Sequence, residues 1–195
     1  MDHRGACGCE ANTGDGAGIL TALPSAFLTR AARDDAGIKL PEPGRFGAGV
    51  VFLPRDKAQR EAAKKTVGQI VQRAGQTMLG WRQLPTDTEG ADVGPTARRT
   101  EPVMEMLFVG AADGVAGEAF ERKLYLIRKA ASREIRGGGG SEKLMFYICS
   151  LSTKVMVYKG QLLSTQVMPY YPDLQDERYV SHLAMVHSRF STNTF

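Results

Sequence analysis

The residues best suited to chemistry stand near the end of the sequence. A short apolar run at 183–186 leads to Arg189, and Ser191, Thr192 and Asn193 come after it. The run contains a β-branched member and predicts a strand that delivers the polar side chains at its end. The planar guanidinium of Arg189 suits two-point binding of a carboxylate or a phosphate. A surface arginine in an ion pair would show the same spacing, so the pattern leaves both interpretations open.

A glycine-rich loop near the start is the second candidate. It contains three alternating glycines, Gly14, Gly16 and Gly18. A nucleotide-binding loop of this kind needs a strand before it, a third glycine at wider spacing and a helix directly after it. Residues 9–13 are not strand-like, and Pro24 interrupts the segment after the loop. The glycines therefore predict a tight turn with close backbone approach, in which Asp15 hydrogen-bonds its own turn, and a nucleotide site is kept as a rival interpretation.

The three cysteines, Cys7, Cys9 and Cys149, form no disulfide framework and are typical of a reducing compartment. Cys7 and Cys9 lie close to His3 and Glu10, which raises the question of a metal site. Their one-residue gap differs from the spacing of zinc sites, and no second pair of ligands occurs later in the sequence. The sequence predicts no disulfide and no metal site.

Composition narrows the class of protein. The chain has 195 residues, of which 43% are hydrophobic and 24% charged, with a net charge of +4. These values are typical of a globular domain. Basic residues are scattered among acidic ones, which argues against a nucleic-acid partner. No apolar run is long enough to cross a bilayer, and residues 1–5 resemble neither a signal peptide nor a transit peptide, so we expect no membrane partner and no targeting segment.

Three segments have helical patterns. Ser25 is predicted to cap a helix that ends at Gly37, Asp56 to cap a longer helix ending at Arg73, and a third helix is predicted over 118–135. Two apolar stripes mark the core-facing sides of the second and third helices: Ala58, Ala62, Val67, Ile70, Val71 and Ala74, and then Phe120, Leu124, Ile127 and Ala131. The third helix should lie over a sheet, with Glu121 pairing with neighbours on its own helix.

Apolar and β-branched runs predict the strands, and glycine and proline mark the loops between them. The predicted strands are 47–53, 77–84, 103–109, 144–151, 154–158 and 161–167. Residues 85–102 are predicted to form a polar loop, and the glycine-rich run 137–141 a flexible one. The second half of the chain is therefore expected to be rich in sheet.

Three motifs in order carry a family resemblance: His-Arg-Gly-Ala-Cys-Gly at 3–8, Thr-Gly-Asp-Gly-Ala-Gly-Ile-Leu at 13–20, and His-Ser-Arg-Phe-Ser-Thr-Asn-Thr at 187–194. Together they resemble the glutaminase domain of the large glutamate synthases. Segments such as 80–82, 120–125 and 146–152 also fit, so the resemblance spans nearly the whole chain, and residues 7–10 are most similar to the plant and algal type. Since the motifs run in family order, we interpret 137–141 as a natural loop rather than an engineered linker.

The resemblance implies an α+β fold, the four-layer αββα arrangement of N-terminal-nucleophile hydrolases. It also implies that residues 1–195 are a partial type 2 glutamine amidotransferase domain, incomplete at both ends. In the family a chain-terminal cysteine thiolate attacks the glutamine side-chain amide, its α-amine moves the proton, and an Asn-Gly pair forms the oxyanion hole. The nucleophile is expected upstream and the oxyanion pair downstream, so we expect no catalytic residue here and no activity of this chain alone.

The resemblance also assigns substrate-binding and pocket-shaping roles. Arg189 matches the arginine that holds the α-carboxylate of L-glutamine. Its expected neighbours in that pocket are Phe190, Thr192 and Asn193. Arg4 and Asp15 are expected to shape the pocket floor and the nearby turn, although a purely structural ion pair is an equal alternative for them.

The parent enzyme implied by the resemblance transfers ammonia from glutamine to 2-oxoglutarate. FMN and an iron-sulfur cluster belong to its other domains, and no cofactor is expected in this one. The implied partners are L-glutamine, the remaining domains, and either ferredoxin or NAD(P)H as electron donor. A ferredoxin-dependent enzyme would be plastidic and the other type cytoplasmic. The main alternative is a non-catalytic glutamine-binding or scaffold module.

Overall fold

The computed structural model describes residues 10–137 and 144–188. Within these described residues there are seven strands and five α-helices. In order they are β1 (Ala17–Ala22), α1 (Ser25–Ala36), β2 (Phe46–Leu53), α2 (Lys57–Arg73), β3 (Thr77–Gln83), α3 (Pro95–Thr100), β4 (Val103–Gly110), α4 (Gly117–Arg136), β5 (Tyr147–Ile148), β6 (Val155–Gly160), α5 (Val167–Tyr170) and β7 (Ala184–His187).

The chain divides into two compact units. The described part of the first unit comprises 10–22, 85–101 and 157–188, and that of the second comprises 23–84, 102–137 and 144–156. The first unit therefore gathers segments that are far apart in the sequence.

The second unit is built on a four-stranded sheet in the order β3–β4–β2–β5, whose neighbouring strands are all antiparallel. Strand β2 is buried along almost its whole length, which explains its continuous apolar run. Gly49 lies at its centre, where a Cβ atom would stand 1.6 Å from the carbonyl oxygen of Ser150. Only a glycine allows this approach of two backbones.

Helices α2 and α4 supply the core of the second unit. The Asp56 carboxylate accepts a hydrogen bond from the Gln59 amide at 2.8 Å, confirming Asp56 as the N-cap of α2. All four residues of the predicted stripe of α4 are fully buried. The α2 stripe was partly wrong, because Ala58 and Ala62 are exposed and Ala63 is buried instead. The core cluster consists of Val51, Leu53, Ala63, Val67, Ile70, Val71, Leu107, Val109, Phe120, Leu124, Ile127, Ala131, Phe146, Ile148 and Leu151.

The first unit contains a three-stranded sheet in the order β6–β1–β7. Strands β1 and β7 are antiparallel, and Gly18 pairs with His187 at one end and Thr21 with Ala184 at the other. The predicted strand at 183–186 is thus confirmed with a shift of one residue. All four residues of β7 are exposed.

Three local predictions were wrong. Ser25 is the first residue of α1, and Pro24 stands at the N-cap position instead. The loop predicted at 85–102 contains α3, whose first residue is Pro95 in a position that tolerates proline. Of the strand predicted at 144–151, only the two residues of β5 form a strand. They make two residue pairs with β2.

The strand predicted at 161–167 is also wrong. Residues Ser164–Gln166 form a 3-10 turn that continues into α5. The side-chain oxygen of Gln166 accepts a hydrogen bond from the Leu163 amide at 2.7 Å. This bond stabilises the turn. It also occupies the Leu163 amide, which therefore cannot donate a hydrogen bond to a neighbouring strand.

The architecture of the described residues is α+β with two sheets, in agreement with the fold class that the resemblance implied. No helix in the described ranges combines the length and apolarity that crossing a membrane requires. The glycine-rich residues 138–141 lie outside the described part of the chain.

Candidate functional site

The loop that precedes β1 is stabilised by hydrogen bonds to the carboxylate of Glu10. This carboxylate accepts hydrogen bonds from the Thr13 hydroxyl at 2.7 Å, the Thr96 amide at 3.1 Å and the Thr96 hydroxyl at 2.8 Å. These bonds stabilise the charged form, so the Thr13 hydroxyl first, and then the Thr96 amide and hydroxyl, lower the pKa of Glu10. The loop is therefore joined to the first turn of α3.

A buried glutamine adds a second connection to the same loop. The Gln166 amide group donates to the carbonyl oxygens of Asn12 at 3.0 Å and Asp92 at 2.8 Å. The Asn12 oxygen also accepts from the Gly94 amide at 2.9 Å. Residues from three distant stretches of sequence thus meet around one loop, and each buried polar group in this set has a partner.

The glycines of the loop serve close packing. A Cβ atom on Gly14 would stand 2.3 Å from the carbonyl oxygen of Leu162. Gly16 has a φ of 139°, a backbone angle that residues other than glycine rarely adopt. A strand comes directly after this loop, whereas a nucleotide-binding loop opens a helix. The prediction of a tight turn is confirmed, and the nucleotide interpretation loses its structural basis.

Asp15 lies exposed in this loop. No hydrogen bond within the described turn joins its side chain to residues 13–18, so the expectation that Asp15 bonds its own turn was wrong. Glu10 fills that role. The Glu-x-x-Thr spacing of Glu10 and Thr13, which also forms a backbone turn bond of 3.2 Å, is a signal from which it could have been predicted.

Across the sheet, the imidazole of His187 lies over Gly18. A Cβ atom on Gly18 would stand 2.7 Å from His187 Cε1, 2.6 Å from the Lys159 Cβ and 2.6 Å from the Tyr158 carbonyl oxygen. Although His187 as a residue is exposed, its ring is partly buried by this contact. That burial, together with the charge of Lys159, lowers the pKa of His187.

At the other end of the β1–β7 pair, a set of tyrosines holds the chain that leads into β7. The hydroxyl groups of Tyr179 and Thr21 are hydrogen-bonded at 2.7 Å. The Tyr158 ring packs edge-on against Tyr179 at 6.1 Å between centroids, and its hydroxyl donates to the buried Asp173 carboxylate at 3.3 Å. Burial raises the pKa of Tyr179 to about 12. Nothing in the sequence pattern singled out this set, because its members are local neighbours only in the folded chain.

Most of the predicted site residues lie outside the described part of the chain: Arg4, Arg189, Phe190, Thr192 and Asn193. Cys7 and Cys9 also lie outside it, and Cys149 is buried. The structure describes the framework next to these residues. Strand β7 and Ser188 lead directly to Arg189 in the sequence, and β1 comes after the loop of Asp15.

A family model described as class-II glutamine amidotransferases matches residues 1–195. The chain belongs to this family. The resemblance derived from the three motifs is confirmed, and with it the amidotransferase identity and the N-terminal-nucleophile hydrolase class of the domain. The two antiparallel sheets with their helices fit that class.

Curated relatives extend the similarity. The chain is 42% identical over 196 residues to the glutamate synthase [NADPH] large chain of Bacillus subtilis, covering 100% of this chain and 12% of the relative. It is 35% identical over 194 residues to ferredoxin-dependent glutamate synthase 2 of Synechocystis sp., again with 100% and 12% coverage. With glutamate synthase [NADH] of Schizosaccharomyces pombe it shares 41% identity over 201 residues, or 9% of that protein. The chain thus spans only 9–12% of the length of these relatives.

Proposed function

We propose that the chain is the glutaminase domain of a glutamate synthase, in which L-glutamine is hydrolysed to glutamate and ammonia and the ammonia reacts with 2-oxoglutarate. The observation that carries the proposal is the full-length similarity of this amidotransferase chain to glutamate synthases that differ in electron donor. Because the chain spans about a tenth of their length, the nitrogen-accepting chemistry would lie in other parts of such an enzyme.

In this function, Arg189 binds the α-carboxylate of glutamine through its guanidinium fork. Phe190, Thr192 and Asn193 line the same pocket, and Arg4 and Asp15 shape its floor. The framework supports this role because β7 is paired residue by residue with β1 up to His187, two positions before the arginine.

The bond-breaking step uses a cysteine at the start of the mature enzyme, in a segment that precedes these residues. Its thiolate attacks the amide carbon of glutamine, ammonia leaves with a proton from the α-amine, and water then hydrolyses the thioester to glutamate. The oxyanion pair would come after the Arg189 segment.

FMN and an iron-sulfur cluster would supply the redox chemistry of the whole enzyme. Among the described residues, no three His, Cys, Asp or Glu side chains are grouped as metal ligands. We place both cofactors in other domains. The residues that accept electrons from ferredoxin or NAD(P)H would also lie in those domains.

The proposal is tested in the full-length gene product by measuring ammonia release from glutamine. Arg189→Ala should raise the KM for glutamine by roughly a hundredfold, the magnitude of about 3 kcal/mol typical of a charge-assisted pair. Arg33→Ala is the matched control, since Arg33 is exposed and pairs with its neighbour Asp34. An unchanged KM in Arg189→Ala would rule out the carboxylate role, and a full-length protein that binds glutamine without releasing ammonia would favour the non-catalytic module.

A further inference from the structure

Gln166 joins three segments of the first unit that are far apart in the sequence. Its side chain is buried, and its amide group donates to the carbonyl oxygens of Asn12 and Asp92. Its side-chain oxygen accepts from the Leu163 amide. A glutamine side chain offers two donors and an acceptor, so both kinds of group are used here. The three segments are together called the clasp: 10–14, 92–97 and 162–166.

The backbones of the clasp also approach one another closely. A Cβ atom on Gly94 would stand 2.0 Å from the hydroxyl oxygen of Thr13, and one on Gly14 would stand 2.3 Å from the carbonyl oxygen of Leu162. Such an approach requires a glycine at both positions. The first segment is therefore packed directly against the other two, in addition to the hydrogen bonds of Gln166.

Each segment of the clasp forms little regular structure by itself. The first has a turn closed by the Thr13 amide and the Glu10 carbonyl oxygen. The second enters the six-residue helix α3, and the third contains the 3-10 turn Ser164–Gln166. Isolated pieces of this length are unstable in water. Their conformation therefore depends on the contacts among them, and separating one segment leaves buried polar groups of the others without partners.

We propose that the clasp opens and closes as one cooperative unit, which releases the loop before β1 without unfolding the four-stranded sheet of the second unit. Units of this kind open with free energies below that of global unfolding. Gln166 and Glu10 hold the clasp from its two ends, and Gln166 stands 154 positions after its partner Asn12. The inference goes beyond the proposed function and does not depend on it, because it concerns a conformational equilibrium of the chain.

Amide hydrogen exchange in the full-length gene product, followed by mass spectrometry of short peptides, tests the proposal. Three backbone amides of the clasp donate to another segment or to one of its two polar side chains. The Gly94 amide donates to Asn12, the Thr96 amide to the Glu10 carboxylate, and the Leu163 amide to Gln166. Peptides containing these three amides are the reporter peptides. In the wild type their protection should agree within about threefold, because one opening event exposes all of them.

Gln166→Glu perturbs the clasp at one end. The change is nearly isosteric, but it replaces the amide donors with a carboxylate that can only accept hydrogen bonds, and it places a negative charge beside two carbonyl oxygens. Exchange should become about tenfold faster or more in all three reporter peptides, the scale of lost buried hydrogen bonds. Gln175→Glu is the matched control and should leave them unchanged, since the Gln175 amide donates to Met168, seven positions earlier in the chain.

Glu10→Gln perturbs the clasp at the other end. It weakens the bonds that Thr13 and Thr96 make to the carboxylate. Within one cooperative unit a perturbation is felt equally at distant positions, so the reporter peptide of Leu163 should exchange faster by the same factor as that of Thr96. If Gln166→Glu prevents folding of the full-length protein, Glu10→Gln decides the question alone.

Three outcomes would overturn the proposal. Faster exchange confined to the Leu163 peptide in Gln166→Glu would mean that Gln166 stabilises its own turn and nothing more. Unchanged exchange of the Leu163 peptide in Glu10→Gln would show that the segments open separately. An equal acceleration in peptides of β2 and β4 would show that the clasp opens only when the second unit unfolds as well. None of these readouts involves ammonia release, so their failure would leave the proposed function standing.

Discussion

The Glu10 carboxylate accepts hydrogen bonds from both the backbone amide and the side-chain hydroxyl of Thr96, which lies in α3. This relationship connects the loop before β1 with a helix more than eighty positions further along the chain. The same carboxylate also holds Thr13. The loop that leads into β1 is therefore held by polar contacts, while Ala17 at the start of the strand is itself buried.

Glu10 should make folding sensitive to acid. Its pKa is lowered from 4.5 in the folded state, so its contribution to stability is present above the unfolded pKa and is lost as the pH falls through the lower folded value. Glu10→Gln should lower the melting temperature at pH 7 and reduce the further loss between about pH 5 and pH 3. Glu42→Gln, at an exposed position, serves as the control. Parallel pH profiles for wild type and Glu10→Gln would contradict the prediction.

Gly49 and Gly68 offer a matched pair of glycine-to-alanine changes. Gly49→Ala should destabilise the fold by about 3 kcal/mol or more, since the new Cβ would overlap the Ser150 carbonyl oxygen. Gly68→Ala should stabilise it by about 0.5–1 kcal/mol, because Gly68 lies within α2 with no atom near the added methyl group. Urea denaturation measures both, and equal midpoints for the two variants would refute the close approach of β2 to Ser150.

Leu124 and Leu126 test which side of α4 faces the core. Leu124 is fully buried against Gly47, whereas Leu126 is 57% exposed. Leu124→Ala should cost about 2–5 kcal/mol because it leaves a cavity. Leu126→Ala should change the stability by less than about 0.5 kcal/mol. Chemical denaturation gives both values, and a reversed order would mean that α4 is rotated about its axis.

Glu121 should contribute more to the stability of the fold than the nearby Glu118. Its carboxylate accepts hydrogen bonds from the Ser152 hydroxyl at 2.5 Å, the Thr153 amide at 2.9 Å and the Thr153 hydroxyl at 2.7 Å. Glu121→Ala should cost about 1–3 kcal/mol, because it leaves these donors without their acceptor. Glu118→Ala removes an exposed ion pair with Lys154 and should have a much smaller effect. Thermal melts that show equal losses would contradict this ranking.

The location of Glu121 illustrates a kind of contact that sequence patterns miss. The helical spacing correctly placed Glu121 on α4 and predicted that its partners lie on the same helix. The structure places these partners in the turn before β6 instead. A polar side chain can bond to any donor within reach, and spacing along one helix says nothing about other segments. The same limitation applies to Glu10 and Thr96, and to the tyrosines around Asp173.

Features that depend on neighbouring residues could be predicted from the sequence alone. The stripe of α4, the cap of α2 at Asp56 and the end of α1 at Gly37 result from local periodicity and local backbone chemistry. The three motifs also identified the family, because their residue types and order can be read within the chain itself.

The partner of β7 and the contacts that hold it became visible only in the folded chain. Gly18 and His187 lie at opposite ends of the sequence, and their pairing depends on the fold of everything between them. Similarly, 161–167 looked like a strand, yet the Gln166 side chain closed it into a turn whose other bonds reach Asn12 and Asp92. Contacts between distant segments form only when the whole chain has folded, so no local pattern could encode them.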